Sequence, residues 1–180
     1  MMVLITGGSK CGKSSMAERL LQQFAGNKYY IATMEPFGEE GKLVVDRHRQ
    51  MRAGKGFHTI EQYTHVHQAE VKPGSGVLLE CVGNLCANEM FSPAGQNREG
   101  DVVQRMLTDI RQLARVCQLL VLVTNQVGAD GIHYTESTTE YIRNLGEVNR
   151  LLAEEADLVI EMVYGIPVVW KDNGKAQEVF

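Results

Sequence analysis

No apolar run in this 180-residue chain approaches the roughly 18 residues that suggest a membrane span, and no basic segment leads into a hydrophobic stretch at the amino terminus. The chain is therefore expected to have no membrane span and no secretory signal, and to act in the cytoplasm. An excess of positive charge is also missing. Lys and Arg number 18 against 22 Asp and Glu, a formal net charge of −4 with the signs interspersed, which argues against a surface that coats nucleic acid. Cysteine is sparse: Cys11, Cys81, Cys86 and Cys117 form no C-x-x-C pair and sit mostly among apolar residues. That pattern fits core packing better than a metal site or a disulfide framework.

With 44% of residues apolar, 180 residues suffice for one domain with a sizeable core, expected to span 1–180. Short aliphatic runs alternate with amphipathic stretches, the pattern of an α/β protein with a largely parallel sheet. Strands are predicted at Met2–Thr6, Tyr29–Ala32, Gly76–Cys81, Leu119–Thr124, Leu158–Val163 and Ile166–Trp170. Helical spacing is clear over Ser15–Phe24, Asp101–Cys117 and Ser137–Ala156. Gly165 and Pro167 predict a turn between the last two strands, with the second on an antiparallel edge. Ser92–Gly100 and Gly128–Thr139 are predicted loops. The latter follows a strand end, where open α/β sheets bind ligands.

Residues Gly7, Gly8, Ser9, Lys10, Cys11, Gly12, Lys13 and Ser14 complete a G-x-x-x-x-G-K-S phosphate loop between the first strand and the first helix. Glycines at both ends let backbone N–H groups converge on a triphosphate, the lysine reaches its outer phosphates, and the serine hydroxyl can hold Mg²⁺. The helix that follows adds its N-terminal dipole. Glu80 closes the strand Val77-Leu78-Leu79, where an acid can reach a Mg²⁺ held by Ser14. Further along, Asp46-Arg47-His48-Arg49-Gln50-Met51-Arg52 lies in a stretch, Glu39–Ala53, that can be helical. On a helix, His48 and Arg52 share a face. A histidine among guanidinium groups has two readings, a solvated surface residue or a nucleophile at phosphorus whose neighbours neutralise phosphate oxygens. Glu61 follows in His58-Thr59-Ile60-Glu61, either against a nucleotide or merely at a strand end.

The phosphate loop, Tyr30-Ile31-Ala32-Thr33, the His48…Arg52 pair, Thr59-Ile60-Glu61, Leu79-Glu80-Cys81 with Asn88, and Val123-Thr124-Asn125-Gln126-Val127-Gly128 occur in this order. Together they resemble the bifunctional adenosylcobinamide kinase and adenosylcobinamide-phosphate guanylyltransferase family of cobalamin assembly, over essentially Met1–Trp170. The resemblance implies a P-loop NTPase fold of RecA-like type, with a mostly parallel sheet, helices on both faces and an antiparallel edge. It implies phosphorylation of adenosylcobinamide by ATP or GTP with Mg²⁺, then transfer of GMP from GTP through a GMP-histidine. His48 would be the nucleophile. Thr33, Arg49, Gln50, Met51, Arg52, Glu61 and Glu80 would bind the guanine nucleotide beside the loop residues Gly7–Ser14, and Ser14 and Glu80 the metal. A homotrimer is implied as well.

Four departures accompany the match. Gln126 stands where the family commonly has an acid, Phe57 and His58 stand where a tryptophan usually comes shortly before Thr59, one extra residue separates Arg52 from Glu61, and Ala129–Ser137 differs from the family's proline-bearing loop. The first leaves room for a guanylyltransferase that has lost its kinase step; a GTP-binding switch without transfer is the reading from outside the enzymes. His65 and His67 lack a third ligand for a metal, and His133 in the loop fits a solvated residue.

Overall fold

The protein is described by a computed structural model over residues 1–36, 54–128 and 130–174. Its elements run β1 (Met2–Gly7), α1 (Lys13–Gln22), β2 (Lys28–Ala32), β3 (His58–Glu61), β4 (Gly76–Glu80), α2 (Val82–Phe91), α3 (Pro93–Gln96), α4 (Val102–Val116), β5 (Leu119–Val123), α5 (Glu136–Glu155), β6 (Leu158–Val163) and β7 (Ile166–Asp172), with a 3₁₀ turn at Val66–Gln68. The strands form one sheet in the order β3-β2-β4-β5-β1-β6-β7. Every neighbouring pair is parallel except β6–β7.

The reason β1 reads as a continuous apolar run is that both its faces are covered. Val3 and Ile5 face α1, packing with Met16, Ala17, Leu20 and Leu21. Met2 and Leu4 face the other side, where Leu107 and Ile110 of α4 and Leu145 and Leu152 of α5 close the larger core. Fully burying each such aliphatic side chain contributes about 1.5–3 kcal/mol, so both layers are needed to hold the central strands.

Connection handedness explains this division of helices. From β1 the chain travels towards β2 over α1; from β4 to β5 and from β5 to β6 it travels the opposite way, over helices on the other face. Reversing direction while keeping one hand of crossover moves the helix across the sheet. The reversal lies at β1, and the phosphate loop leaves the sheet there.

The predicted strands are present, most with ends shifted by a residue or two. Gly7 extends β1 with φ 137°, and the hairpin between β6 and β7 turns on Tyr164 and Gly165, at φ 51° and 85°. Two successive positive φ values make the tight turn whose twist matches the strands, and Pro167 lies on the edge strand as expected. Two elements lack a clear sequence signal. β3 is a short and largely exposed edge strand. The helix α2 opens on Val-Gly-Asn and buries Asn88 and Glu89 beside Leu85 and Cys86, which blurs the amphipathic pattern. The predicted loop Ser92–Gly100 contains the single turn α3, capped by the Ser92 hydroxyl accepting from the Gly95 N–H at 3.2 Å.

Cys81, Cys86 and Cys117 are buried and unpaired, as their apolar settings predict, and Cys11 is half-buried in the phosphate loop. Among the described residues, no helix is long and apolar enough to cross a membrane.

Candidate active site

Gly12 is at φ 99°, a left-handed conformation suited to glycine, and from it the chain enters α1 directly at Lys13. A side chain at Gly7 would place its Cβ 2.5 Å from the Met162 carbonyl oxygen of β6. Glycine is thus required where the loop passes close to the neighbouring strand. The loop is also held from the hairpin, because the Gly165 N–H donates to the Cys11 carbonyl at 3.1 Å. Lys13 is buried, its Nζ donating to the Gly7 and Gly8 carbonyls at 3.0 and 2.6 Å.

Glu80 lies across from this loop. β5 separates β4 from β1, so the strand backbones carrying the two groups are roughly 9–10 Å apart. The side chains close the gap: the Ser14 hydroxyl donates to Glu80 Oε1, and the Tyr30 hydroxyl donates to Glu80 Oε2 at 2.6 Å. One carboxylate is thereby aimed by two elements, α1 and β2. Strand register brings in a second acid. Glu61, Ala32, Glu80 and Val123 are successive partners across β3, β2, β4 and β5, so both acids stand at the carboxyl ends of their strands, with only Ala32 between them. A cleft of about 210 Å³ opens here, lined by Ser9, Lys10, Lys13 and Ser14 on one side and by Met34, Glu61 and Glu80 on the other.

Ser14 and Glu80 offer hard oxygen donors of the kind Mg²⁺ takes, and Mg²⁺ commonly uses one or two protein oxygens together with substrate phosphates and water. The donor set fits that ion. Among the described residues, no group of three or more His, Cys, Asp or Glu side chains is placed to hold a metal by itself. His65 and His67 have ring centroids 6.2 Å apart, and His67 lies against Asp109, its Nδ1 2.8 Å from Oδ1.

Thr33 is held in the interior. Expected against the nucleotide, it is 0% exposed, and its polar atoms are spent inside the protein. Its hydroxyl donates to the Cys81 carbonyl at 2.8 Å and accepts from the Cys81 N–H at 2.7 Å, while its N–H donates to the Glu80 carbonyl at 3.1 Å. Strand alternation ends at Ala32, so the sequence does not say which way the next side chain turns. What this stretch offers the cleft is Met34. His48, Arg49, Gln50, Met51 and Arg52, with the helix expected over Glu39–Ala53, lie outside the described residues.

Several contributors have little or no signature in the sequence. Tyr30 reads as one more apolar strand residue, though its hydroxyl meets Glu80. Asn84 and Asn125 line the cleft beside Cys81, and the Asn125 amide rests 3.8 Å from the Cys81 sulfur. Gln126 is exposed and turned to β6: its Nε2 donates to Glu161 Oε1 at 3.0 Å, and the Trp170 indole donates to Glu161 Oε2 at 2.8 Å. A carboxylate thus stands one hydrogen bond from the amide at 126. The signal for Glu161 was available, an acid inside the apolar run Leu158–Val163.

A phosphate loop between β1 and α1, an acid at the end of a strand once removed from β1, and a cleft over the carboxyl ends of parallel strands define a P-loop nucleotide-binding enzyme fold. The chain belongs to the CobU family, cobinamide kinase / cobinamide phosphate guanyltransferase, whose sequence profile matches residues 3–170. It is 34% identical to the bifunctional adenosylcobalamin biosynthesis protein CobU of Escherichia coli, and equally to that of Salmonella typhimurium, over 93% of this chain and 98% of each relative. Identity is 27% to the bifunctional adenosylcobalamin biosynthesis protein CobP of Pseudomonas aeruginosa, over 93% of this chain and 96% of that one.

Proposed function

We propose that this protein, as one catalytic domain in the cytoplasm, phosphorylates adenosylcobinamide and then transfers GMP from GTP to the resulting phosphate, giving adenosylcobinamide-GDP. The observation that carries the reading is the pair Ser14 and Glu80, joined across β5 and steadied by Tyr30, beside Lys13 and on one rung with Glu61. A nucleoside triphosphate lies with its phosphates along Gly7–Ser14. Phosphate contacts are blind to the base, so ATP and GTP both suit the first step.

In the kinase step the alcohol oxygen of the substrate bonds to the γ-phosphorus as the bond to the β-phosphate oxygen breaks, and the alcohol proton leaves. Lys13 trades the Gly7 and Gly8 carbonyls for phosphate oxygens and balances the charge that spreads on them. Mg²⁺, held by Ser14 and Glu80, supplies further charge neutralisation when bound.

In the second step a neutral imidazole nitrogen of His48 attacks the α-phosphorus of GTP and pyrophosphate leaves. Arg49 and Arg52 neutralise phosphate oxygens, and Gln50, Met51 and Glu61 contribute to nucleotide binding. A phosphate oxygen of adenosylcobinamide-phosphate then bonds to that phosphorus as the P–N bond breaks, and the electron pair returns to the imidazole nitrogen of His48. Gln126 does not weigh against the kinase half, since its amide is bonded to Glu161 and the acid facing Ser14 is Glu80.

Incubation with GTP labelled at the α-phosphate is expected to give an acid-labile protein-bound GMP that is lost in His48→Ala. Absence of label from the wild-type protein would remove the histidine mechanism. Failure to convert adenosylcobinamide, with turnover of supplied phosphate ester, would remove the kinase half.

The chain assembles as a homotrimer in this reading, supported by the apolar edge that β7 exposes, with Ile166 and Trp170 66% and 67% exposed. A monomer by light scattering at assay concentration would exclude that assembly.

A further inference from the structure

Asn88 lies in the second turn of α2 and is only 6% exposed. Its Nδ2 donates to two backbone carbonyls, Thr33 at 2.8 Å and Tyr63 at 2.9 Å. Thr33 is the first residue beyond β2, and Tyr63 follows closely on the end of β3. One amide group thus joins the carboxyl-terminal exits of two adjacent strands, using both of its protons. The next residue continues the pattern: Glu89 Oε1 accepts from the His65 N–H at 3.1 Å and from Arg98 Nη1 at 2.6 Å. Arg98 in turn grips Asp109 of α4. The α2 anchor is therefore backed by an ion-pair network, while the points it holds are backbone carbonyls just past the ends of two strands.

Burying an amide in a helix is costly unless its partners are good. Here its partners belong to neither α2 nor a strand interior. They are the places where the chain leaves for Met34 and returns after Glu61, both cleft-lining residues. By contrast, the phosphate loop, Lys13 and Ser14 hang on β1 and α1, and Glu80 on β4, Tyr30 and Ser14.

We propose that Asn88 is a positioning residue for the guanylyl-transfer step, fixing the β2 and β3 exits so that the Glu61 side of the cleft stands at a set distance from the phosphate loop. The inference rests on the histidine reading above for the step it serves. It assigns Asn88 no contact with substrate. The kinase step, whose groups are anchored elsewhere, depends on it far less.

The test compares Asn88→Ser with Leu85→Ala, which loosens the same helix through packing and leaves the Thr33 and Tyr63 carbonyls paired. Both variants and the wild type are assayed for melting temperature, for single-turnover formation of protein-bound GMP at saturating GTP, and for kinase turnover. Asn88→Ser is expected to slow GMP capture about tenfold or more with kinase kcat within about threefold, because small misplacements of reacting groups cost large factors in rate. Leu85→Ala should lower the melting temperature without that split between steps. Equal losses in both steps for Asn88→Ser, the same pattern in both variants, or unchanged GMP capture would overturn the assignment. If Asn88→Ser does not fold, Asn88→Thr is measured against the same criteria. A wild-type protein that forms no adduct would instead overturn the histidine reading itself.

Discussion

Replacing Tyr30 by Phe removes one oxygen and leaves the rest of the side chain in place. The ring is buried and packs edge-on against Phe57, with centroids 6.2 Å apart and planes at 81°, contacts that phenylalanine keeps. Its hydroxyl donates to Glu80 Oε2 at 2.6 Å. A hydrogen bond to a charged acceptor contributes about 1.5–3 kcal/mol. Because the cleft is open and water can re-solvate the freed carboxylate oxygen, the low end applies, about 1.5 kcal/mol, which corresponds to roughly tenfold in rate. Glu80 then has Ser14 as its remaining described partner, so the carboxylate swings more freely and meets the metal–nucleotide complex less often in the right pose. Initial rates of both reactions, taken across a Mg²⁺ series, should show a higher half-saturating Mg²⁺ and kcat/KM for nucleotide about tenfold lower, with little change in Tm. An unchanged Mg²⁺ dependence with kcat/KM within about twofold of wild type would refute the role given to Tyr30 and weaken that of Glu80.

Two further outcomes follow from the loop and the cysteines. Gly7→Ala meets both a φ of 137° and a Cβ only 2.5 Å from the Met162 carbonyl, so it should cost about 3 kcal/mol or more in denaturant unfolding, while Gly8→Ala, with nothing within 4 Å, stays within about 0.5 kcal/mol. Comparable stability of the two variants would contradict the close approach of β6 to the loop. Burial pushes the Cys86 and Cys117 thiols up to about 12 and raises that of Cys81, so near pH 8 these three are protonated as well as enclosed. An alkylating reagent should therefore modify Cys11 in the folded protein, more slowly once nucleotide is bound and not at all in Cys11→Ser; reaction of a second thiol before unfolding would refute the packing described.

The phosphate loop and Glu80 are legible from sequence because their demands are local, a glycine at each bend and an acid at the end of an aliphatic run. The long helices are legible for the same reason, a periodic apolar face. Glu61 and Glu80 as rung-mates are not, since their juxtaposition depends on the register of strands separated in the chain. Tyr30 hides for a different reason: a hydroxyl at the tip of a buried ring looks apolar until its neighbour is known. The burial of Thr33 is not legible either, because it stands one residue past the strand, where period-two alternation stops constraining the side chain. β3 and α2 carry weak patterns because one is an exposed edge and the other buries polar residues whose partners lie on other elements.

The position of β1 also bears on when the active site can exist. Its two sheet neighbours, β5 and β6, are both made long after it, and the phosphate loop takes its last support from the turn at Gly165. A nascent chain emerging from the ribosome therefore carries the phosphate-loop sequence early but lacks the sheet that shapes it until β6 and β7 have been synthesised. Contacts this distant in sequence close slowly, so nucleotide affinity should be among the last properties acquired during synthesis.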